Sequence, residues 1–314
     1  MKLHWIFFLS LILRFFGSCT VNPVESKNPT HICIASDFLS PKDTVLFESF
    51  EQQNKIKVFI FSMHADSIQS YLKSNVYNSK FDVVILKSAF DVHQLSELNL
   101  LQPFIGEDKF LHLDSKFIAK DWIVLSIDPY VIVDDIQHKT FEYSNLTYNK
   151  KWRKQLDNRD MTVFKTAILE QYGRKNIQRS SSWLQKLDEQ SIINRDSTMH
   201  IASYSLTKLS KIDRSKQNFI YPNQQIKTGV FYDGISAGIV RHNSKYISAK
   251  QFLDFLVIPY NNQVISNKWN TLPIENPLSH SSFAYQNNYP ILYRSSPIKL
   301  SKQLRNLKRI EYKK

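Results

Sequence analysis

The residues best placed to do chemistry sit in three loops, each following a short apolar run: Asp37 to Ser40, Ser62 to Asp66, and Lys87-Ser88. Parallel sheets bind ligands beyond the carboxyl ends of their strands, so these hydroxyls, carboxylates and one lysine are expected to meet a small polar solute. Catalysis is not signalled. The chain has no G-x-S-x-G elbow, no H-E-x-x-H and no phosphate loop, and its nine histidines are scattered, which leaves an envelope enzyme such as a hydrolase without support. Only Cys19 and Cys33 are present, without C-x-x-C spacing, so neither a disulfide framework nor a zinc site is expected. Cys33 lies in an apolar run and should behave as a small buried hydrophobe.

The elements that must position these loops read as alternating strands and helices. Residues 32–35, 56–61 and 81–86 are expected strands, the last an unbroken apolar run suited to cover on both faces. Between them, Ser40-Pro41-Lys42-Asp43 reads as a capping box that opens a helix with Leu46, Phe47 and Phe50 inward. A short helix should bury Ile68, Tyr71 and Leu72, and 88–98 should form a third helix capped by Ser88. Such alternation predicts an α/β fold with right-handed crossovers. Residues 122–133, WIVLSIDPYVIV, read as a long strand containing Pro129, which an interior ladder would exclude. Residues 150–160 form a basic loop, read as solvated surface or as a turn into a second lobe. A helix is expected over 162–172, closed by Gly173, followed by an amphipathic segment carrying Trp183, Leu184 and Leu187.

Glycine is scarce, with six where average usage near 7% would give roughly twenty. Yet Gly229, Gly234 and Gly238 fall close together, which predicts tight turns or close backbone approach there. A helix follows, with Ser248 as a candidate cap and Phe252, Phe255 and Leu256 on one face.

The N-terminus reads as an address. A basic start, an apolar run over 5–13 and the box Phe16-Gly17-Ser18-Cys19 predict a signal peptide over 1–18, with Cys19 lipidated or an ordinary cleaved leader. The apolar run is shorter than the roughly 20 residues a membrane span needs. Residues 19–30 form a polar linker. The net charge of +13 and pI near 9.5 raise nucleic-acid binding, but there is no recognition helix or basic motif, and the export signal argues against it. The segment 285–314 ends in a basic helix with Leu300, Leu304 and Leu307 on one face, which either packs back on the protein or lies on a membrane.

Tyr221-Pro222-Asn223-Gln224, then Ile235-Ser236-Ala237-Gly238, the helix from Tyr246 to Leu256, and Asn270 to Pro273 follow one another in an order that resembles the extracytoplasmic substrate-binding proteins of ferric-iron ABC transporters. The resemblance covers about two thirds of the chain. It implies a two-lobed type II periplasmic-binding-protein fold, each lobe a mostly parallel sheet with helices on both faces, hinged over a cleft. Lobe one would be 31–126 plus 236–284 and lobe two 127–235, joined by crossings near 122–133 and 230–240.

By the same resemblance the ligand positions fall on Leu39, Lys87, Tyr204 and Ser205, where the family has His, Glu and two tyrosines. Only Tyr204 survives as a metal ligand, and it reads equally as a tyrosine packed at a helix start. Tyr232 is a substitute candidate, and Asn223 a further ligand-binding candidate. A small trivalent cation needs hard anionic oxygens, so this set disfavours the bare ferric ion. The segment between Leu187 and Tyr204 is also shorter than the family's.

The expected function is therefore a solute-binding lipoprotein that delivers a small ligand, a ferric chelate or an anion, to an ABC permease from the periplasm or cell envelope. It would act as a monomer, held to the membrane by its N-terminal lipid, with no nucleic-acid partner. The alternative is a binding-protein fold serving as a non-transport envelope interaction module.

Overall fold

The computed structural model describes residues 31–104, 113–135, 141–147, 153–154, 156–172, 182–189, 199–209, 218–224, 228–274 and 299–300. The expected leader, Cys19, the linker, Gly173 and most of the C-terminal segment lie outside the described residues. Three parallel strands open the fold: β1 (His31–Ser36), β2 (Lys57–Ser62) and β3 (Val83–Leu86), with β1 central. All four residues of β3 are buried, as its unbroken apolar run requires. Cys33 is buried in β1; burial, then the nearby Asp82, pushes its thiol up.

Helices α1 (Glu48–Asn54), α2 (Ala65–Asn75) and α3 (Ala89–Glu97) connect and follow these strands. Phe47 and Phe50 are fully buried and pack edge-on against Phe252. The box at Ser40 forms, with the Asp43 carboxylate accepting from Ser40 N at 2.6 Å, and opens the expected helix, whose first part Pro41–Phe47 is 3-10 before α1 takes over. Thr44 and Val45 are β-branched, and the Thr44 hydroxyl donates back to the Pro41 carbonyl at 3.0 Å, which favours the tighter turn. Ser88 caps α3 as expected, accepting from Phe90 N.

The strand β4 (Trp122–Asp134) runs unbroken through Pro129. After it come β5 (Arg153–Lys154), α4 (Asn158–Tyr172), helix α5 over 182–189, β6 (His200–Ser203), α6 (Tyr204–Leu209) and β7 (Asn218–Ile220). The chain then returns along β8 (Tyr232–Ile239), α7 (Tyr246–Val257), α8 (Pro259–Lys268) and β9 (Leu272–Pro273). The first part of β4 pairs antiparallel with β8 and, on its other side, with β9 at Ser126 and Ile127. Its second part pairs with β6 from Tyr130 onward and with β7. Tyr130 N donates to Phe231 O on the β8 side at 2.9 Å, so the N–H that Pro129 lacks belongs to the opposite flank. There β9 has ended and β6 has not begun, so no ladder bond is lost.

Two expected boundaries shift. α4 begins at Asn158, four residues early, because Asp157 accepts from Asp160 N at 2.8 Å and caps it. Part of the expected basic loop is therefore strand β5 and the first turn of α4. Ser248 is not a cap either: Lys245 holds that position and Ser248 is buried inside α7. Phe252, Phe255 and Leu256 are buried as expected. Leu300 is buried and Lys299 Nζ lies 3.6 Å from Glu170 of α4. Among the described residues no helix is long and apolar enough to cross a membrane.

The glycine cluster has local causes. Gly229 has φ 86° and its N–H closes a turn onto Asn223 O at 3.1 Å. At Gly238 a Cβ would lie 2.8 Å from Leu101 Cδ1 and 3.1 Å from the Asp121 carbonyl. Both neighbours belong to the packed interior, so Gly238→Ala is expected to destabilise the chain by about 1–3 kcal/mol in denaturant unfolding. A change under about 0.5 kcal/mol would mean that Leu101 can move aside.

Candidate functional site

The two crossing strands each place one aspartate at the junction, and the register sets Asp128 of β4 directly opposite Asp233 of β8. They are held from different sides. Asp233 accepts from Ser88 Oγ at 2.6 Å, Ala89 N at 3.1 Å and Gly234 N at 2.7 Å, which fastens it to the start of α3. Asp128 accepts from Ser205 N at 2.9 Å and from Ser205 Oγ, which fastens it to the start of α6. Buried carboxylates survive where N–H and O–H groups replace water, and helix starts supply them. Tyr130 is fully buried beside them; burial, then Asp160, Asp233 and Asp128, drives its hydroxyl well above the ordinary range.

The start of α4 brings further charge. Arg159 Nη1 donates to Asp37 Oδ2 at 2.6 Å, and its Nε lies 2.8 Å from Asp91 Oδ2 of α3 as a charge contact not aligned on the oxygen. The other Asp37 oxygen accepts from Lys87 N at 2.8 Å. Lys87 Nζ in turn lies 3.7 Å from Asp160, the residue after Arg159. Burial alone would lower the Lys87 ammonium, but Asp160, then Asp128, Asp157 and Asp233, raise it above its ordinary value. Lys87 is therefore a neutralised cation in carboxylate-rich surroundings rather than an isolated positive charge that would draw an anion.

Leu39 is 2% exposed and part of the core. Ser205 is committed to Asp128. Tyr204 is half-buried at the start of α6, with its ring 6.2 Å from that of Tyr221. Tyr232 is fully buried next to Asp233 in β8. Asn223 is buried at φ 62°; its N–H donates to Phe141 O and its Oδ1 accepts from Tyr143 N. Thus Lys87, Ser205 and Tyr232 adjoin the aspartate pair, while Asn223 serves a turn packed on Tyr143. Among the described residues no group of three or more His, Cys, Asp or Glu side chains is arranged to hold a metal ion. The sequence reading missed Asp128, Arg159, Asp160 and Asp233. Asp128 and Asp233 carried a usable signal, since each is a charge in the interior of a mostly apolar strand.

Burial drives four carboxyls up: Asp160 to about 7 with Lys87 opposing, Asp233 to about 7 against hydrogen bonds from Ser88 and Gly234, Asp91 to about 6 with Arg159 opposing, and Asp128 against hydrogen bonds from Ser205. They share one field and titrate as a set. The folded chain then holds protons that the unfolded chain releases near pH 4, so stability falls as pH rises from about 4 through about 7. Glu51 is held below its ordinary range: burial would raise it, but hydrogen bonds from Lys57 and Val58 N prevail, and its opposite effect is confined below about pH 4.5. Thermal unfolding should accordingly give a Tm several degrees higher at about pH 5.5 than at about pH 8, taking about 2–4 °C per kcal/mol for a chain of this size. Asp160→Asn should flatten that slope. A Tm that climbs with pH across this window would contradict the burial of the set.

No family model matches the chain. Among solved structures it is similar to the Trichodesmium protein IdiA (FutA) in complex with iron and citrate ligands, at 17% identity and TM-score 0.74, covering 89% of this chain and 99% of that one. It is also similar to the ferric binding protein from Campylobacter jejuni, at 15% identity and TM-score 0.75, covering 90% of this chain and 98% of that one. A third is the apo ferric ion-binding protein A of Pasteurella haemolytica, at 15% identity and TM-score 0.73, covering 91% and 99%. Such likeness at low identity speaks to architecture, and it bears out the expectation drawn from Tyr221 to Pro273. The chain has the two-lobed type II periplasmic-binding-protein fold seen in these ferric-binding proteins.

Proposed function

We propose that this chain is an extracytoplasmic solute-binding protein that closes two lobes over a small ligand and presents it to an ABC permease. The observation that carries the reading is the convergence of the starts of α3, α4 and α6 on one polar junction, crossed only by β4 and β8 among the described strands. Lobe one is 31–126 plus 236–284 and lobe two is 127–235. Such a junction is where hinged lobes enclose a ligand.

The ligand proposed is a ferric chelate rather than the bare ion. Leu39 is core, Lys87 is paired with Asp160, and Ser205 is bonded to Asp128, so three of the four positions offer no ferric ligand. A simple anion would meet Asp128, Asp157, Asp160 and Asp233 around Lys87. A chelate carries its own oxygen shell, and Tyr204 beside Tyr221 can contribute phenolic contacts at its edge. A neighbour of the same fold is described as holding iron and citrate.

A thermal-shift titration of the mature chain tests this. Ferric citrate should stabilise by about 2.7 kcal/mol at a hundred times its dissociation constant, whereas citrate or phosphate alone should not. Uptake of bare iron from ferric nitrilotriacetate, seen as a strong tyrosinate charge-transfer band lost in Tyr204→Phe, would overturn the exclusion of the free ion. The mutual pairing of the junction's charges favours a second reading, a non-transport envelope interaction module. Stabilisation by none of these ligands would select it.

The export reading places the protein at the cell envelope as a monomer, with Cys19 as its acylated mature N-terminus and no nucleic-acid partner. Mass spectrometry of native protein should find the chain beginning at a lipidated Cys19. A longer chain with unmodified Cys19 would end that proposal.

A further inference from the structure

The junction's charged contacts form a closed circuit through both halves of the molecule. Asp37, at the end of β1, holds Lys87 N through one oxygen and Arg159 through the other. Arg159 is followed in α4 by Asp160, which faces the Lys87 ammonium. Each half thus supplies one cation to the other's carboxylates: Arg159 reaches Asp37 and Asp91, and Lys87 reaches Asp160. These are not freely solvated pairs, since the Asp37 and Asp160 side chains are only 5% and 9% exposed. Such reciprocity lets a contact between two bodies return to the same register each time they meet.

We propose that Arg159 and Lys87 form an interlobe latch with Asp37, Asp91 and Asp160, which closes the cleft by contacts within the chain. Closure then does not wait for a ligand. A ligand entering the cleft competes with the latch, and the fraction of open chains sets its apparent affinity, because binding-competent molecules are only part of the population. The latch rests on the two-lobed fold and on the cleft assignment above, but not on the identity of any solute.

Small-angle X-ray scattering of the mature chain without added ligand reads the latch directly. Arg159→Gln keeps a hydrogen-bonding head on a shorter stem and removes the cation. It should raise the radius of gyration and maximum dimension relative to wild type, with unchanged circular dichroism, and amide exchange should accelerate at 37–40 and 158–160. Lys87→Met breaks the other arm and should shift both readouts in the same direction; it serves as the test should Arg159→Gln not fold. Scattering curves that superimpose for wild type and a folded variant would overturn the latch. That outcome is separable from failure of the ferric-citrate titration, because the scattering contains no ligand.

Discussion

The antiparallel contact between β4 and β8 is the constraint on which the molecule depends, because it puts two buried aspartates face to face and sends each to a different helix. Two like charges side by side in a dry setting repel, and burial penalises each on its own account. The structure offsets this with five hydrogen bonds from Ser88, Ala89, Gly234 and Ser205. Helix starts carry spare N–H donors and partial positive charge, so α3 and α6 are drawn to the strands that bear the carboxylates. The path of the chain on either side of the junction follows from that pairing. Behind it, Tyr143 donates to Tyr130 O at 2.6 Å and stacks on Phe231 at 4.5 Å, which stiffens the same two strands.

Charge is sorted by burial across the molecule. The whole chain carries a formal +13, yet the polar junction is rich in carboxylates and holds only Lys87 and Arg159 as facing cations among the described residues. Burial would lower the Arg159 guanidinium, but Asp91 and Asp37 raise it instead. Net charge therefore describes the solvated exterior and is a poor guide to what the cleft attracts. A lysine at the end of β3 says little by itself about the charge of a ligand, because the field around it is set by its neighbours.

Much of the fold was legible in the residues. β1, β3 and the Ser88 cap follow from local pattern, since an apolar run of strand length and a hydroxyl before a helix act within a few residues. The family order from Tyr221 to Pro273 carried the architecture. What escaped was non-local. Arg159 meets Asp37 across 122 positions and Ser88 meets Asp233 across 145, and no window on the sequence contains both partners. The segment 150–160 looked like solvated surface because its charges were counted without their partners. The start of α4 was missed because Asp157, which caps it, sits inside a segment that reads as a basic loop.

Pro129 gives the crossing a further property. On one flank of β4 the ladder to β8 continues past it, while on the other flank β9 stops at Ile127 and β6 starts at Tyr130. A residue with an N–H at that place would present a free donor, and a free donor invites the neighbouring strand to extend until the two sheets merge into one stiff slab. Proline denies that extension. Around 128–130 the two sheets are thereby joined by the β4–β8 ladder alone, braced by Tyr143, and the strands on the other flank stay separate.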